Sequence, residues 1–281
     1  MMIKRYKISG FTLEISSPVD FGDIEPYSLF AFDGNEADYT VTIEFSSGLP
    51  TAIENPFYVS GDKVCVFKNG IEQCYYKSRS TSTGYYACRT VENKRIQLTI
   101  DEKYRDMLRA EVIFSILGIE ELVSQNNGCI IHASFIEVDG GAVLFTGPCS
   151  IGKSTQANLW REFADATVIN GDKAIIHESN GGFYACGLPF SGSSKDCLNK
   201  KLPLKAIICL KKAPTNNARR LTSDAFLNIY KNCYPVPYSR DLTGTLLDFA
   251  NKVGQHVPVY EFSCRADEGA VRYLERILCL I

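Results

Sequence analysis

Short runs in which apolar and polar residues alternate dominate the first hundred residues. Such runs occur at residues 39–45, 63–67 and 95–100, and glycine, proline, asparagine and serine interrupt them. Alternation with a period of two is typical of half-buried strands, and the interrupting residues are typical of turns. The pattern therefore predicts an antiparallel β-rich module over residues 1–105. The module carries no recognisable chemical motif, so its role is left open.

The period changes between residues 103 and 124. Apolar residues there recur three or four positions apart, with charged residues between them: Met107, Leu108, Val112, Ile113, Ile116, Leu117 and Leu122. This spacing predicts a single amphipathic helix. We expect the helix to join the two halves of the chain and to pack on the second half. The predicted domains are accordingly residues 1–105 and 106–281.

Two apolar runs, residues 130–138 and 142–146, follow the helix. The sequence Asp139-Gly140-Gly141 separates them and is a signal for a tight hairpin turn. The second run would then have an antiparallel neighbour directly before it in the chain. The second run leads into a glycine-containing loop of the phosphate-binding type at residues 147–154. Sheets that begin with a strand of this kind are usually parallel, so an antiparallel neighbour indicates a less common architecture.

Helical and strand patterns alternate through the rest of the chain. Helices are predicted at residues 153–163, 223–232 and 267–280, and strands at 167–169, 174–177, 182–186, 204–210 and 257–264. We therefore expect an α/β domain with a mixed sheet, preceded by the β-rich N-terminal module.

Composition excludes several classes of protein. The 281 residues carry a formal net charge of −2, and this gives no global field to attract nucleic acid or an anionic membrane. Eleven cysteines are scattered singly without a CxxC pair, so free thiols in a reducing compartment are expected. No signal-peptide core opens the sequence, and no apolar run reaches the roughly 18 residues of a membrane helix. We expect a cytoplasmic, soluble protein, and a homo-oligomer is left open.

The sequence GPCSIGKS fits the phosphate-loop pattern GxxxxGK[ST], with an apolar strand before it and a helical pattern after it. Its glycines let main-chain N–H groups turn towards an anion at the helix N-terminus. The predicted nucleotide-binding residues are Gly147, Pro148, Cys149, Ser150, Ile151, Gly152, Lys153, Ser154 and Thr155.

Individual residues of this loop have distinct predicted roles. Lys153 would place a positive charge at the β and γ phosphates of ATP, and the Ser154 hydroxyl would bind Mg²⁺, which prefers oxygen ligands. Thr155 would cap or pack in the first helical turn. Cys149 stands where a small residue is more usual, and we favour a residue that simply fits the loop over an oxidisable thiol.

A phosphoryl-transfer site also needs a carboxylate close to the metal. Asp172 is the best candidate, because it follows the strand predicted at 167–169 and the chain there returns towards the phosphate loop. His132 lies in an apolar strand one hairpin before the loop, a position more typical of a core histidine. His177 and His256 have weaker contexts, and the absence of HxH or HxxxH spacing argues against a zinc site.

The segments GCIIHASFIEVDGGAVLFTGPCSIGKST and VINGDKAII resemble the C-terminal domain of HPr kinase/phosphorylase, a family whose core is similar to that of phosphoenolpyruvate carboxykinase. The resemblance covers about residues 112–281 and extends through residues 187–192, Asn199 and the run LPLKAIICLKK. Residues 1–100 do not resemble the N-terminal domain of HPr kinase.

The resemblance implies ATP binding, a metal that bridges the phosphates, and a pair of adjacent aspartates after the second strand. Here the pair reads Gly171-Asp172, so one carboxylate is missing. Asp172 corresponds better to the second member, which favours a metal role and leaves the general base in question. By the same resemblance His132 would lie near the γ-phosphate and would assist catalysis.

Three functions are compatible with these residues. The first is an ATP- and Mg²⁺-dependent phosphotransferase acting on a hydroxyl of a small protein, a peptide or a metabolite. The second is a nucleotide-binding regulator or sensor that lost its chemistry with the first aspartate. The third is a small-molecule kinase, although such enzymes usually begin at the phosphate-loop strand. The loop of residues 191–199 lies where relatives approach their substrate, and Lys195 in it is a weaker candidate for stabilising transferred charge.

Overall fold

The computed structural model describes residues 1–22, 24–68, 70–77, 84–192 and 194–278. It divides the chain into two compact units, Met1–Ile119 and Glu120–Ile281, so the division comes later than the boundary predicted at residue 105. Each unit contains one large mixed sheet, and the described helices are few and short. The α/β class predicted from sequence is confirmed in this general form.

The first unit is built on eight strands. They are β1 (Met2–Ile8), β2 (Phe11–Ser17), β3 (Tyr39–Ser46), β4 (Tyr58–Ser60), β5 (Lys63–Lys68), β6 (Ile71–Lys77), β7 (Tyr85–Glu92) and β8 (Arg95–Asp101). Their order is β1-β2-β3-β8-β7-β6-β5-β4. The prediction of a purely antiparallel module was wrong, because β3 pairs in parallel with both β2 and β8. The long connections from β2 to β3 and from β3 to β8 make these parallel pairings possible.

The helix predicted at residues 103–124 is interrupted. A 3₁₀ helix (Glu102–Met107) precedes α1 (Ala110–Ile116) and α2 (Ile119–Gln125). Gly118 separates the last two with a φ of +72°, and a Cβ there would lie 2.9 Å from Cζ of the buried Arg89 side chain. Phe114 of α1 packs against Tyr6, with ring centroids 5.1 Å apart. Helix α1 therefore packs within the first unit.

Two cysteines of the first unit depart from the expected free thiols. Cys65 on β5 lies directly opposite Cys74 on β6, and the two form a disulfide. Direct opposition in an antiparallel pair brings the two Cβ atoms close enough for such a bond. The other cysteines of the described chain are free, and all of them are buried except Cys149.

The second unit contains eight strands and the remaining helices. The strands are β9 (Gly128–Val138), β10 (Gly141–Thr146), β11 (Thr167–Asn170), β12 (Lys173–Ser179), β13 (Gly182–Cys186), β14 (Lys201–Lys212), β15 (Asn217–Arg220) and β16 (Val259–Cys264). The helices are α3 (Lys153–Phe163), α4 (Ala225–Tyr230), α5 (Arg240–His256) and α6 (Glu268–Leu278). Residues 279–280 of the predicted last helix lie outside the described residues.

The hairpin predicted before the phosphate loop is confirmed. β9 and β10 pair antiparallel, with Val138 opposite Gly141. The two turn residues, Asp139 and Gly140, have φ values of +47° and +69°, as the tight hairpin turn requires. On its other edge β10 pairs in parallel with β14. Since β10-β9-β12-β13-β14 then returns to β10, five strands form a closed ring.

Strand β10 shows how the second unit builds its core on both faces of the sheet. Ala142 and Leu144 point into an apolar layer that includes α5, whereas Val143 and Phe145 point into a layer that includes α3 and α6. A strand buried on both sides reads as a continuous apolar run, as this one does. The end of β10 is thereby fixed where the predicted phosphate loop begins.

Helix α5, the longest in the described chain, was not predicted. Its buried residues Leu246, Phe249, Ala250 and Val253 follow helical spacing, and the Ser239 hydroxyl accepts a hydrogen bond from Leu242 N (3.3 Å) as the N-cap. Within the described residues, no helix combines the length and apolar character needed to cross a membrane.

Candidate functional site

The loop between β10 and α3 has an unusual backbone path. Gly147, Ser150 and Gly152 have φ values of +141°, +62° and +116°. A Cβ on Gly147 would lie 3.2 Å from Cγ2 of Ile151, so the loop leaves little room for a larger residue there. Helix α3 begins directly after this loop, and no side chain caps its N-terminus. The first amides of α3 are therefore free to bind an anion.

Lys153 is the first residue of α3 and is 7% exposed. Its Nζ donates hydrogen bonds to the carbonyl oxygens of Gly147 and Pro148, both at 3.1 Å. Burial lowers the pKa of Lys153 from its ordinary value, while Cys149 and Asp172 act in the opposite direction. The ammonium group thus lies within the loop that precedes it.

A cavity of about 330 Å³ opens at this loop. Gly171 and Ser194 line it, and so do most of the residues predicted for the site. These predicted residues are His132, Cys149, Ser150, Gly152, Lys153, Ser154, Thr155 and Asp172. Pro148 supplies a carbonyl to Lys153, and Ile151 lines a neighbouring cavity. The structure therefore brings the loop, the histidine and the carboxylate to one place, although they come from separate parts of the chain.

His132 and Asp172 form the polar side of this cavity. Nε2 of His132 lies 3.3 Å from Oδ1 of Asp172, and both side chains are partly exposed to the cavity. Burial is the main cause that lowers the pKa of His132, and the charge of Lys153 adds to it, whereas Asp172 opposes both. The contact is therefore best described as a hydrogen bond between a carboxylate and a neutral imidazole.

Hydrogen bonds to main-chain carbonyl oxygens hold His132 and the Gly171-Asp172 segment in place. Ala133 N donates to Asp172 O (3.0 Å), and the Ser134 hydroxyl donates to Gly171 O (2.8 Å). The Thr146 hydroxyl, at the end of β10, donates to His132 O (2.9 Å). Because these bonds connect β9 with β10 and with the segment after β11, the site rests on the sheet itself.

Asn170 is a site residue that the sequence reading missed. Its side chain is fully buried, and its Oδ1 accepts hydrogen bonds from the amides of Asp172 (3.0 Å) and Lys173 (2.9 Å). Its Nδ2 donates to Phe190 O (3.1 Å). The signal was present in the sequence Asn170-Gly171-Asp172, because asparagine side chains commonly bond to amides two residues ahead in turns.

Gly171, where the family resemblance implies an aspartate, borders a filled space. A Cβ on Gly171 would overlap Ser194. The Ser194 Oγ is buried and has no hydrogen-bond partner in the part of the chain that the structure describes. Ser194 belongs to the predicted substrate-side loop of residues 191–199, in which Ser193 lies outside the described residues. The space beside Gly171 is thus occupied by a hydroxyl from another segment.

A second cavity of about 470 Å³ lies on the other side of the loop. It shares Ser150, Gly152 and Thr155 with the first cavity. Three cationic residues, Lys211, Lys212 and Arg265, also line it, and of these Lys211 pairs with Glu261 and Arg265 pairs with Asp267. Gln156, which is 3% exposed, donates to Arg265 O (3.1 Å) at its wall. The loop therefore separates two cavities that share part of their lining.

The other candidates lie apart from these groups. Lys195 does not line either cavity at the loop. His177 lies in β12 opposite Tyr184, and His256 ends α5, so neither belongs to the site. Among the described residues, the only group of His, Cys, Asp and Glu close enough to share a metal is Cys65, Glu72 and Cys74 in the first unit, where the two cysteines form the disulfide.

The chain shows only partial similarity to known proteins. A family model described as "SynChlorMet cassette protein ScmC" matches residues 97–236, slightly less than half of the chain. A search of the curated proteins found no match. Among solved structures, the HPr(Ser) kinase/phosphatase from Coxiella burnetii is similar over 54% of this chain and 96% of that chain, with 16% identity and a TM-score of 0.34. A structural similarity of this size carries no argument, so the HPr kinase-like family stays a prediction.

Proposed function

We propose that the chain is an ATP- and Mg²⁺-dependent phosphotransferase that acts on a hydroxyl group. One observation carries the proposal: the loop with Lys153 and the pair of His132 and Asp172 line the same cavity. The loop offers donors for phosphate, and the pair offers an acceptor for a proton. Phosphoryl transfer to an alcohol requires both in one place.

The loop and α3 would hold the triphosphate. Free amides at the start of α3 and the ammonium group of Lys153 give a concentration of donors suited to several phosphate oxygens. Lys153 would exchange its two loop carbonyls for phosphate oxygens, which favour its charged form. The neighbouring cavity with Lys211 and Arg265 has room for the rest of the nucleotide.

Ser154 and Asp172 are the residues that would hold Mg²⁺. Both line the cavity and both offer oxygen atoms, the ligands that Mg²⁺ prefers. A site with one carboxylate and one hydroxyl fits an ion that keeps several waters and takes phosphate oxygens as its other ligands. When bound, the ion neutralises charge that develops on the phosphates.

Asp172 and His132 would receive the proton of the acceptor hydroxyl. Burial lowers the pKa of His132, which favours a neutral ring that can accept a proton beside the Asp172 carboxylate. The acceptor is proposed only as a chemical class, which is a serine of a small protein or peptide, or a hydroxyl of a metabolite. A cytoplasmic location is part of the same proposal.

A nucleotide-binding regulator is the second candidate. Gly171 favours it, because the side chain of a second aspartate has no room beside Ser194. Incubation with γ-labelled ATP, Mg²⁺ and cell extract separates the two candidates. Labelled product supports the phosphotransferase, whereas nucleotide binding without labelled product supports the regulator.

The substitution Lys153→Ala tests the proposed chemistry. Removing the ammonium group takes away charge stabilisation at the transferred phosphoryl group, and we expect labelled product to fall by about 100-fold or more. Lys231→Ala removes an exposed lysine of the same unit outside both cavities at the loop and serves as the control. Undiminished transfer by a folded Lys153→Ala chain would contradict the proposal.

A further inference from the structure

The hydroxyl of Ser194 is an unsatisfied group inside the candidate site. Its Oγ is shielded from solvent, lacks a hydrogen-bond partner among the described residues, and belongs to a residue that lines the same cavity as Lys153 and Asp172. A buried hydroxyl without a partner costs about 1–3 kcal/mol, so such groups are rare in native structures. This location indicates a group whose partner is a bound ligand.

Several contacts fix the segment that carries Ser194. Before it, Phe190 O accepts the hydrogen bond from the Asn170 side chain (3.1 Å). After it, Asp196 pairs with Arg161 of α3, and Leu198 N donates to Ile169 O (2.9 Å). Because β11 holds the chain on both sides of Ser194 and α3 holds it on the later side, the Ser194 hydroxyl has a defined place relative to the loop.

The backbone at Gly171 and Gly192 makes room for this arrangement. A Cβ on Gly171 would overlap Ser194, and a Cβ on Gly192 would lie 3.0 Å from Cγ of Asp172. Neither glycine has a positive φ, so space and not backbone conformation accounts for the small residue at each position. The two glycines let the Ser194 segment lie close to Asp172.

We propose that Ser194 is a phosphorylation site that the chain modifies itself, within one molecule. The inference rests on the function proposed above, since it takes the γ-phosphoryl group of a nucleoside triphosphate held by the loop. Ser194 Oγ forms the new P–O bond, and the bond from the γ-phosphorus to the β,γ-bridging oxygen breaks. The hydroxyl proton passes to solvent water, and the nucleoside diphosphate leaves. Atoms and charge balance without a further reactant.

Mass spectrometry of the whole chain tests the proposal. We incubate the full-length protein with ATP and Mg²⁺, measure the intact mass, and map the modified peptide. We expect one added phosphoryl group, located on Ser194. Ser194→Ala should lose the modification, and Ser191→Ala, three residues away in the same loop, should keep it. A phosphoryl group mapped to any other residue would overturn the assignment.

A mixing experiment tests transfer within one molecule. Lys153→Ala chains carrying a mass tag are incubated with the wild-type protein, ATP and Mg²⁺. We expect phosphate on the wild-type chain alone, and phosphate on the tagged chain would overturn the intramolecular route. Calorimetry with ATP and Mg²⁺ on the wild-type protein separates this inference from the proposed function. Binding without modification of Ser194 overturns the inference alone, whereas absence of binding overturns both.

Discussion

At the scale of single residues, glycines of the second unit serve two purposes: some allow a positive φ, and others leave space for a neighbouring side chain. Gly147 and Gly152 adopt positive φ values in the loop between β10 and α3, while Gly171 is small because Ser194 fills the space beside it. These are different reasons for glycine, and they predict different consequences of substitution. At Gly147 a side chain strains the backbone, whereas at Gly171 it collides with a neighbour.

The collision at Gly171 predicts a coupled pair of substitutions. Gly171→Ala should lower the free energy of unfolding by about 1–3 kcal/mol, because the new methyl group overlaps Ser194. Ser194→Gly in the same chain removes the overlapping atoms and should recover most of the loss. Urea unfolding of the two single variants and the double variant measures the coupling. Additive losses would show that the two residues do not meet.

A second residue-scale prediction concerns acid stability. His177 is 8% exposed, and burial followed by the charge of Lys201 lowers its pKa below the usual value of 6.5. At pH values between the lowered pKa and 6.5, His177 binds a proton more strongly in the unfolded chain than in the folded chain. The contribution to stability is therefore complete above pH 6.5 and is lost as the pH falls through the lowered pKa.

Urea unfolding across this range of pH provides the measurement. His177→Gln should make the free energy of unfolding fall less steeply below pH 6.5 than it does in the wild-type protein. The control is Asn251→Gln on the exposed side of α5, a position without a titratable group, which should leave the slope unchanged. An identical slope in the His177→Gln chain would contradict the assigned cause.

At the scale of elements, one side chain joins three segments of the site. Asn170 ends β11, binds the amides of Asp172 and Lys173, and reaches Phe190 O in the segment before Ser194. Removing a buried amide group that satisfies several main-chain groups costs more free energy than its hydrogen bonds contribute, because each partner is then left unsatisfied. Asn170 therefore positions the carboxylate without touching the cavity.

This role predicts a large effect of Asn170→Ala. Loss of the buried amide should lower the free energy of unfolding by about 1–3 kcal/mol or more, and exchange of the Asp172 and Lys173 amides should accelerate. Asn251→Ala, on the exposed side of α5, should change stability by no more than about 0.5 kcal/mol. Urea unfolding and hydrogen exchange measure both effects. Unchanged exchange at Asp172 would show that Asn170 does not hold this turn.

Local patterns were sufficient for some elements and insufficient for others. The β9–β10 hairpin and the start of α3 were predicted, because a turn sequence and a glycine loop act over a few residues. The interruption at Gly118 was missed, although a glycine of positive φ directly after the last helical residues is a local signal that ends a helix. The closed ring depends on pairing of β10 with β14 across a long separation, and alternation within either strand says nothing about that partner.

The same distinction applies to the site. The loop and Asp172 could be chosen from sequence because their residue types and order are characteristic of phosphate chemistry. Ser194 could not be chosen, because its importance comes from the space beside Gly171 and not from its own sequence context. Nucleotide binding and catalysis by these residues are still predictions, and the geometry of the site names the side chains that would take part.

At the scale of the whole molecule, the second unit places the candidate chemistry at one end of a doubly covered sheet. Apolar layers on both faces of β10 fix the strand that leads into the loop, and β9 fixes His132 beside it. The first unit has its own sheet and its own disulfide, and it carries none of the residues proposed for nucleotide binding. The central claim therefore concerns the second unit, and it is that this loop grips a nucleoside triphosphate.

Isothermal titration calorimetry of the full-length protein with Mg²⁺ and ATP tests this claim most directly. We predict heat of binding with about one nucleotide per chain, and a loss of affinity of about 10-fold or more in the Lys153→Ala variant, because a charge-assisted contact is removed. Lys231→Ala should bind as the wild-type protein does. Absence of heat with millimolar ATP or GTP in the folded wild-type protein would contradict the account.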